Sequence, residues 1–272
     1  MYAIDFEYDG QYLSDYGFIV CHFDFSGGAN IESAGSKITF EKVSRLGGKR
    51  FSLTSARYDE CITATFDICK NPDTHEKEEL EIRNEEYRDL IRWLNRKEFL
   101  KFQVLSDKEE DIEPCYYNVS FNIEKIKVAE TLFGLRLTLE SDSPFGYGDM
   151  ITTKFQFNNI NTQKILIDKS DEIGYIYPDM RIICNQAGDL TIHNDYEDCT
   201  MVIKNCRLGE VITIKGNEQI ISTSITDHDI CNDFNWEFFK IGNTFDNRIN
   251  TISVSKLCYI EIFYCPIIKD TP

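Results

Sequence analysis

The chain has 272 residues, of which 42% are hydrophobic and 28% charged, and carries a formal net charge of −17. The length fits two domains of ordinary size, and the composition is that of a folded globular chain and excludes a disordered one. Both halves are acidic, so the surface repels phosphate backbones; sequence-specific reading of DNA or RNA is disfavoured, whereas a wall past which DNA slides is not.

No Lys or Arg occurs before Lys37, and Asp5, Glu7, Asp9 and Asp15 interrupt the early apolar residues. The pattern of a secretory signal is missing, and we expect cytoplasmic synthesis with reduced thiols. The ten cysteines are then free, and Cys61, Cys69, Cys184, Cys199 and Cys258 sit in strand-like patterns as small apolar side chains. Their closest regular spacings, Cys199/Cys206 and Cys258/Cys265, are too wide for zinc pairs, so no metal or other cofactor is expected. The late apolar run "CYIEIFYCPII" is short and broken by Glu261, so no membrane insertion is expected either.

Residues 2–23 read as strand, turn, strand around Asp9 and Gly10. The next stretch, "DFSGGANIESAGS", contains Gly27, Gly28 and Gly35 and is too polar to pack alone. It is expected to be a mobile loop or an arm that orders against a partner such as a neighbouring subunit, with Phe25 and Ile31 supplying apolar contact in the second case. Strand-like segments follow at 38–43, 51–54 and 62–69.

In "NEEYRDLIRWLNRK" the residues Tyr87, Leu90, Ile91 and Leu94 form one apolar stripe at helical spacing, with Asn84 placed to cap it and Trp93 at its margin as a core side chain. "SDKEEDIE" reads as a solvated acidic loop. "CYYNVSFNIEKIKV" then puts Tyr117, Val119, Phe121 and Ile123 on one face and slips by one residue before Ile126 and Val128, as at a bulge. "LFGLRLTLE" alternates strictly through Phe133, Leu135, Leu137 and Leu139. The first 143 residues are therefore expected to form an α+β domain rich in strands, with one helix.

Residues 144–150, including Pro144, Phe145, Gly146, Tyr147 and Gly148, have turn chemistry that resists helix and sheet ladder, and are expected to be a linker. From 151 to 272, strand-like runs near 165, 181, 190, 201, 212 and 220 recur about every ten residues, the pattern of a β-sandwich. The last of them puts Cys258, Ile260, Ile262 and Tyr264 on one face.

Catalytic signatures are missing. His22, His75, His193 and His228 are scattered, "DHD" at 227–229 reads as a solvated loop, and "GGKR" at Gly47 lacks the phosphate-loop spacing. "NVS" at Asn118 lies in a strand pattern and is not read as a glycosylation site. Trp236, Tyr175, Tyr177 and Tyr196 have the chemistry of a sugar-stacking platform, but core or interface packing is the expected fate of each in a chain this rich in aromatic residues.

The order of segments carries more than any motif. "FEYDGQYLSDYGFIV", the helix running into "WLNRKEFLKFQVLSD", "YYNVSF" and "FGLRLTLESDSPFGYGD" resemble the ring domain of the distal tail protein family of long-tailed, non-contractile bacteriophages. "IYPDMRIICNQAGDLTIHN", "LGEVITIKGNEQIIS" and "FKIGNTFDNRINTISVSKLCYIEIFY" are similar, in order, to its galectin-like C-terminal domain; "GNTFDNRIN" is longer than the family's compact turn.

The resemblance implies a mainly β protein whose N-terminal domain is a β-sandwich with one helix and a β-hairpin. It implies a homohexameric hub at the virion tail tip, with the major tail tube protein, a tail-tip hub or tail-associated protein and a receptor-binding protein as partners, and a central channel for DNA. It implies no enzyme. The alternative is a lectin-like module for a host cell-wall glycan, but no inserted carbohydrate module is visible.

Overall fold

The computed structural model describes residues 3–21, 23, 37–44, 48, 50–58, 60–106, 115–196 and 199–270. The fold is mainly β and groups into two units, Met1–Gly148 with Ile268–Pro272, and Asp149–Ile267.

The first unit is built from β1 (Ala3–Tyr8), β2 (Gln11–Tyr12), β3 (Phe18–Cys21), β4 (Ile38–Ser44), β5 (Phe51–Tyr58), β6 (Thr63–Lys70), α1 (Asn84–Leu94), β7 (Leu100–Ser106), β8 (Cys115–Val128), β9 (Thr131–Ser141) and β10 (Gly146–Gly148). Its main sheet runs β2-β1-β7-β8-β9-β6-β3 with antiparallel neighbours. The β1–β2 turn is Asp9–Gly10, both at positive φ (51° and 74°), which matches the twist of a two-residue hairpin.

Alternation along the strands sends Phe6, Tyr8, Phe102, Tyr117, Val119, Phe121, Leu135, Leu137 and Leu139 into one core, where α1 adds Leu90, Trp93 and Leu94. Trp93 stacks on Tyr16 at 4.6 Å, and its indole N–H donates to the Tyr8 carbonyl at 3.0 Å, so the helix is fixed by a directional bond as well as by burial. The slip expected in β8 before Ile126 is corrected: Ile123 to Ile126 pair in unbroken register with Leu137 to Gly134, and the shift follows between Ile126 and Lys127, which pairs with Leu132, so the extra residue is Phe133 in β9, where strict alternation was expected.

Two further local expectations are corrected. Asn84 is the first helical residue and does not cap α1; Arg83 is the cap residue, and its N–H is bonded by Glu86 Oε2 at 2.7 Å. That carboxylate is held by buried Lys70, whose Nζ is 2.7 Å from Oε1, so β6 positions the helix start. The stretch expected to resist a ladder contains β10, which pairs with β8 through Tyr147–Tyr116 and Gly148–Cys115. Gly146 serves close approach rather than freedom: a Cβ there would collide with Cys115 Sγ and lie 2.9 Å from the Tyr117 ring.

The second unit contains β11 (Ile151–Phe157), β12 (Lys164–Ile167), β13 (Gly174–Ile176), β14 (Asp179–Cys184), β15 (Gly188–Asn194), β16 (Cys199–Cys206), β17 (Val211–Lys215), β18 (Ile220–Thr223), α2 (Ile230–Asp233), β19 (Ile241–Asn243), β20 (Ile249–Val254) and β21 (Cys258–Tyr264). A five-stranded sheet, β11-β21-β14-β17-β18, and a four-stranded sheet, β12-β20-β15-β16, make a β-sandwich. Ile182, Ile212 and Ile260 from the first, and Ile192, Ile203 and Ile252 from the second, are fully buried in one shared core.

The runs read near 165, 181, 190, 201, 212 and 220 are β12 and β14 to β18. The β13–β19 ribbon has no comparable sequence signal. It is held by a buried side chain: Asn250 Oδ1 accepts from the Gly242 N–H and Asn250 Nδ2 donates to the Gly242 carbonyl, both at 2.9 Å, so an amide replaces a strand neighbour.

Candidate functional site

Strands β4 and β5 pair only with each other among the described residues. A two-stranded ribbon without a packed face is marginal in water, so its side chains decide what it can do. Ile38 faces Tyr58 and Phe40 faces Ala56, after which the register shifts: Glu41 is opposite Ser55 but Lys42 is opposite Leu53, with Thr54 as the extra residue. Cross-strand partners share a face, so the bulge brings Phe51 and Leu53 onto the side that already carries Ile38, Phe40, Ala56 and Tyr58. Without it they would project with Thr39, Glu41, Ser55 and Arg57.

One side of the ribbon therefore gathers Ile38, Phe40, Phe51 and Leu53, with Lys42 and Ser44 among them, and lies in solvent. Phe51 is 72% exposed, Leu53 59%, Phe40 51% and Ile38 43%. Contiguous apolar surface of this kind marks a contact site. The ribbon's base is anchored: Tyr58 packs edge-on against Phe145 with ring centroids 4.7 Å apart, and Lys269 Nζ lies 5.8 Å from the Tyr58 ring.

The expected subunit contact of Phe25, Gly27, Gly28, Ile31 and Gly35 lies outside the described residues. The ribbon begins two residues after that stretch, and its strands were legible while their isolation from the main sheet was not. Of the expected linker, Phe145 packs on Tyr58, Gly146 and Gly148 are buried in β10, and the Tyr147 hydroxyl lies 3.2 Å from Asp142 Oδ1.

The four aromatic residues with sugar-stacking chemistry do not share one packing environment. Tyr175 and Tyr196 both approach Gly242, whose lack of a side chain admits their rings, and Lys240 Nζ lies 4.6 Å from the Tyr175 ring. Tyr177 packs against the sandwich core. Trp236 clusters with Phe234 and Phe238.

The reading of "DHD" as solvated holds for Asp227 and Asp229 but is corrected for His228, which turns inward to Glu210, a carboxylate with no exposure. His228 Nδ1 is 2.5 Å from Glu210 Oε1, the Thr223 hydroxyl donates to the same oxygen, and the Arg207 N–H donates to Oε2 at 2.7 Å. Burial disfavours the carboxylate, but these bonds and the imidazolium outweigh it and hold Glu210 below its ordinary range. The partners of Glu210 come from the turn at Arg207, from β18 and from the segment before α2, so the cluster ties these segments together. Cys184 and Cys258 are buried free thiols as expected, and burial raises the Cys258 pKa to about 12. Among the described residues no group of three or more His, Cys, Asp or Glu side chains is arranged to hold a metal, and no helix is long and apolar enough to cross a membrane.

Residues 1–143 match a family model described as a phage tail protein N-terminal domain, and residues 145–264 match one described as a phage tail C-terminal domain. No curated protein matches. Among solved structures, the fold is similar to that of the Dit protein of phage SPP1, described as a paradigm of hub adsorption apparatus in phages infecting Gram-positive hosts. The TM-score is 0.67 at 13% identity, covering 96% of this chain and 98% of that one.

Proposed function

Because the chain belongs to this phage tail protein family, with the N-terminal and C-terminal tail domains in sequence, we propose that it is a structural hub forming a homohexameric ring at the distal end of the tail. The ring joins the major tail tube protein to a tail-tip or tail-associated protein and to receptor-binding proteins, and leaves a central channel for DNA. It assembles in the host cytoplasm, resides at the virion tail tip, and acts without catalysis.

The observation that carries this reading is the apolar face of the β4–β5 ribbon, with Phe51 72% and Leu53 59% exposed. A ribbon that lies on the next copy makes a head-to-tail contact, and such contacts form a ring where the rotation between neighbours closes. The net charge of −17 suits a wall around passing DNA, since phosphate does not adhere to it.

Electron microscopy of the purified chain, alone and with the tail tube protein, tests the proposal. Sixfold rings are expected, and a triple variant Phe40→Ser, Phe51→Ser, Leu53→Ser is expected to remain folded and monomeric. A wild-type chain that stays monomeric in both settings refutes the ring; monomers retained on host cell-wall polysaccharide would favour the glycan-binding alternative.

A further inference from the structure

The sandwich has four terminal strands, β11 and β18 in one sheet and β12 and β16 in the other, and the fold treats them differently. An open strand edge is a template for pairing with another chain, so proteins cover or blunt edges that have no use. The edge of β16 is covered: the Asn235 N–H donates to the Val202 carbonyl at 3.1 Å, Asn235 Oδ1 accepts from the Val202 N–H at 3.0 Å, and Asn235 Nδ2 donates to the Thr200 carbonyl at 2.9 Å. On β11 the exposed side chains are polar: Thr152, Lys154 and Gln156.

Strand β12 has neither device. Its exposed side chains are Ile165 (61%) and Ile167 (58%), and Ile249, opposite Ile167 on β20, is 49% exposed. The direction of its backbone follows from one bond. The Asp168 N–H donates to the Arg248 carbonyl at 3.0 Å, so residues of that parity, Leu166 and Lys164, turn their polar groups towards β20. Ile165 and Ile167 turn theirs outward. The Ile167 carbonyl takes a long bond from the Tyr264 hydroxyl at 3.4 Å, while the Ile165 N–H and carbonyl and the Ile167 N–H have no partner among the described residues.

Cations surround this edge in a chain that is otherwise strongly acidic. Lys164 opens β12, Lys169 continues its exposed side, and Arg248 precedes Ile249; none of the three forms an ion pair among the described residues.

We propose that β12 is a docking edge that accepts an extended strand from a different protein, one with alternating apolar and acidic side chains. The outward N–H and C=O groups bond the added strand, Ile165, Ile167 and Ile249 receive its apolar side chains, and Lys164, Lys169 and Arg248 select its carboxylates. A second copy fits poorly, because pairing β12 with β12 sets these cations against their own equivalents. The inference is independent of the ring.

The test places a benzophenone amino acid at position 165 or 249, with exposed position 218 as control, in tails assembled with this chain. Irradiation is expected to link 165 and 249 to one continuous stretch of a single different tail protein. Ile165→Pro removes the outward N–H while sparing the bonds to β20, and should reduce the amount of that partner in tails at least about tenfold. Ile165→Lys with Ile167→Lys serves the same purpose if the proline variant does not fold. Links only to a second copy, links no stronger than at 218, or full partner incorporation with folded edge variants would each overturn the proposal. Rings are scored separately on the purified chain, so the failure of one proposal is distinguishable from failure of the other.

Discussion

His228 Nδ1 lies 2.5 Å from Glu210 Oε1, and neither side chain has more than 2% of its surface exposed. The other imidazole nitrogen faces Asp233 Oδ2 at 3.3 Å. Burial alone would lower the His228 pKa, but the bond and charge of Glu210, with contributions from Cys206 and Asp233, outweigh it and hold the value above 6.5. Glu210 is shifted the opposite way, below 4.5.

The pH dependence follows from those directions. A raised histidine pKa contributes stability that is complete below 6.5 and is lost as pH rises through the folded value. A lowered carboxyl pKa contributes stability present above 4.5 and lost as pH falls through the folded value. The second unit should therefore melt highest between these ordinary values and at progressively lower temperature on going to pH 8. Calorimetry of wild type and His228→Gln from pH 5 to 9 checks this: the decline on the alkaline side should flatten in the variant. Glu210→Ala removes the buried partner of the imidazole, leaving only the more distant Asp233, and should cost about 3–5 kcal/mol.

Leu90 is fully buried beneath α1. Leu90→Ala should lower the denaturation free energy by roughly 2–5 kcal/mol, the range for a leucine truncated in a packed core. A loss no larger than that of an exposed site would mean that the helix does not pack as described.

The β4–β5 ribbon predicts the opposite combination. Phe51→Ser and Leu53→Ser remove exposed surface, so stability measured in urea should change by no more than about 0.5 kcal/mol. Assembly, followed by light scattering over a dilution series, should weaken strongly. Equal assembly of wild type and variant would remove the ribbon from the subunit contact.

At Gly146 the limiting factor is space. Gly146→Ala drives a methyl group into Cys115 Sγ and the Tyr117 ring and should destabilise by about 1–3 kcal/mol. The same packing protects residues 146–148, so brief proteolysis should first cut at the exposed Asp149 and Met150 rather than within 144–148. Sequencing the new termini decides between these sites.

What the sequence determined by itself is the face that each element turns inward. The spacing of Tyr87, Leu90, Ile91 and Leu94, the alternation of Leu135, Leu137 and Leu139, and that of Cys258, Ile260, Ile262 and Tyr264 are periodic, because a helix or strand repeats its geometry every few residues. The bulge at Phe133 was not legible, because the alternation around it was read as a slip in the neighbouring strand. Only the tertiary structure decided which elements lie side by side, and the candidate sites depend on that. Nothing local to Phe51 or Leu53 records that β4 and β5 stand apart from the main sheet, or that Thr54 shifts their register to gather the apolar side chains. Glu210 and His228 are 18 residues apart, Asn250 and Gly242 eight, and Gly146 lies 31 residues from Cys115. Contacts of this kind leave no period in the chain: their partners are set by strand order, and whether a side chain ends in the core, in a staple or in solvent depends on what the fold brings opposite it.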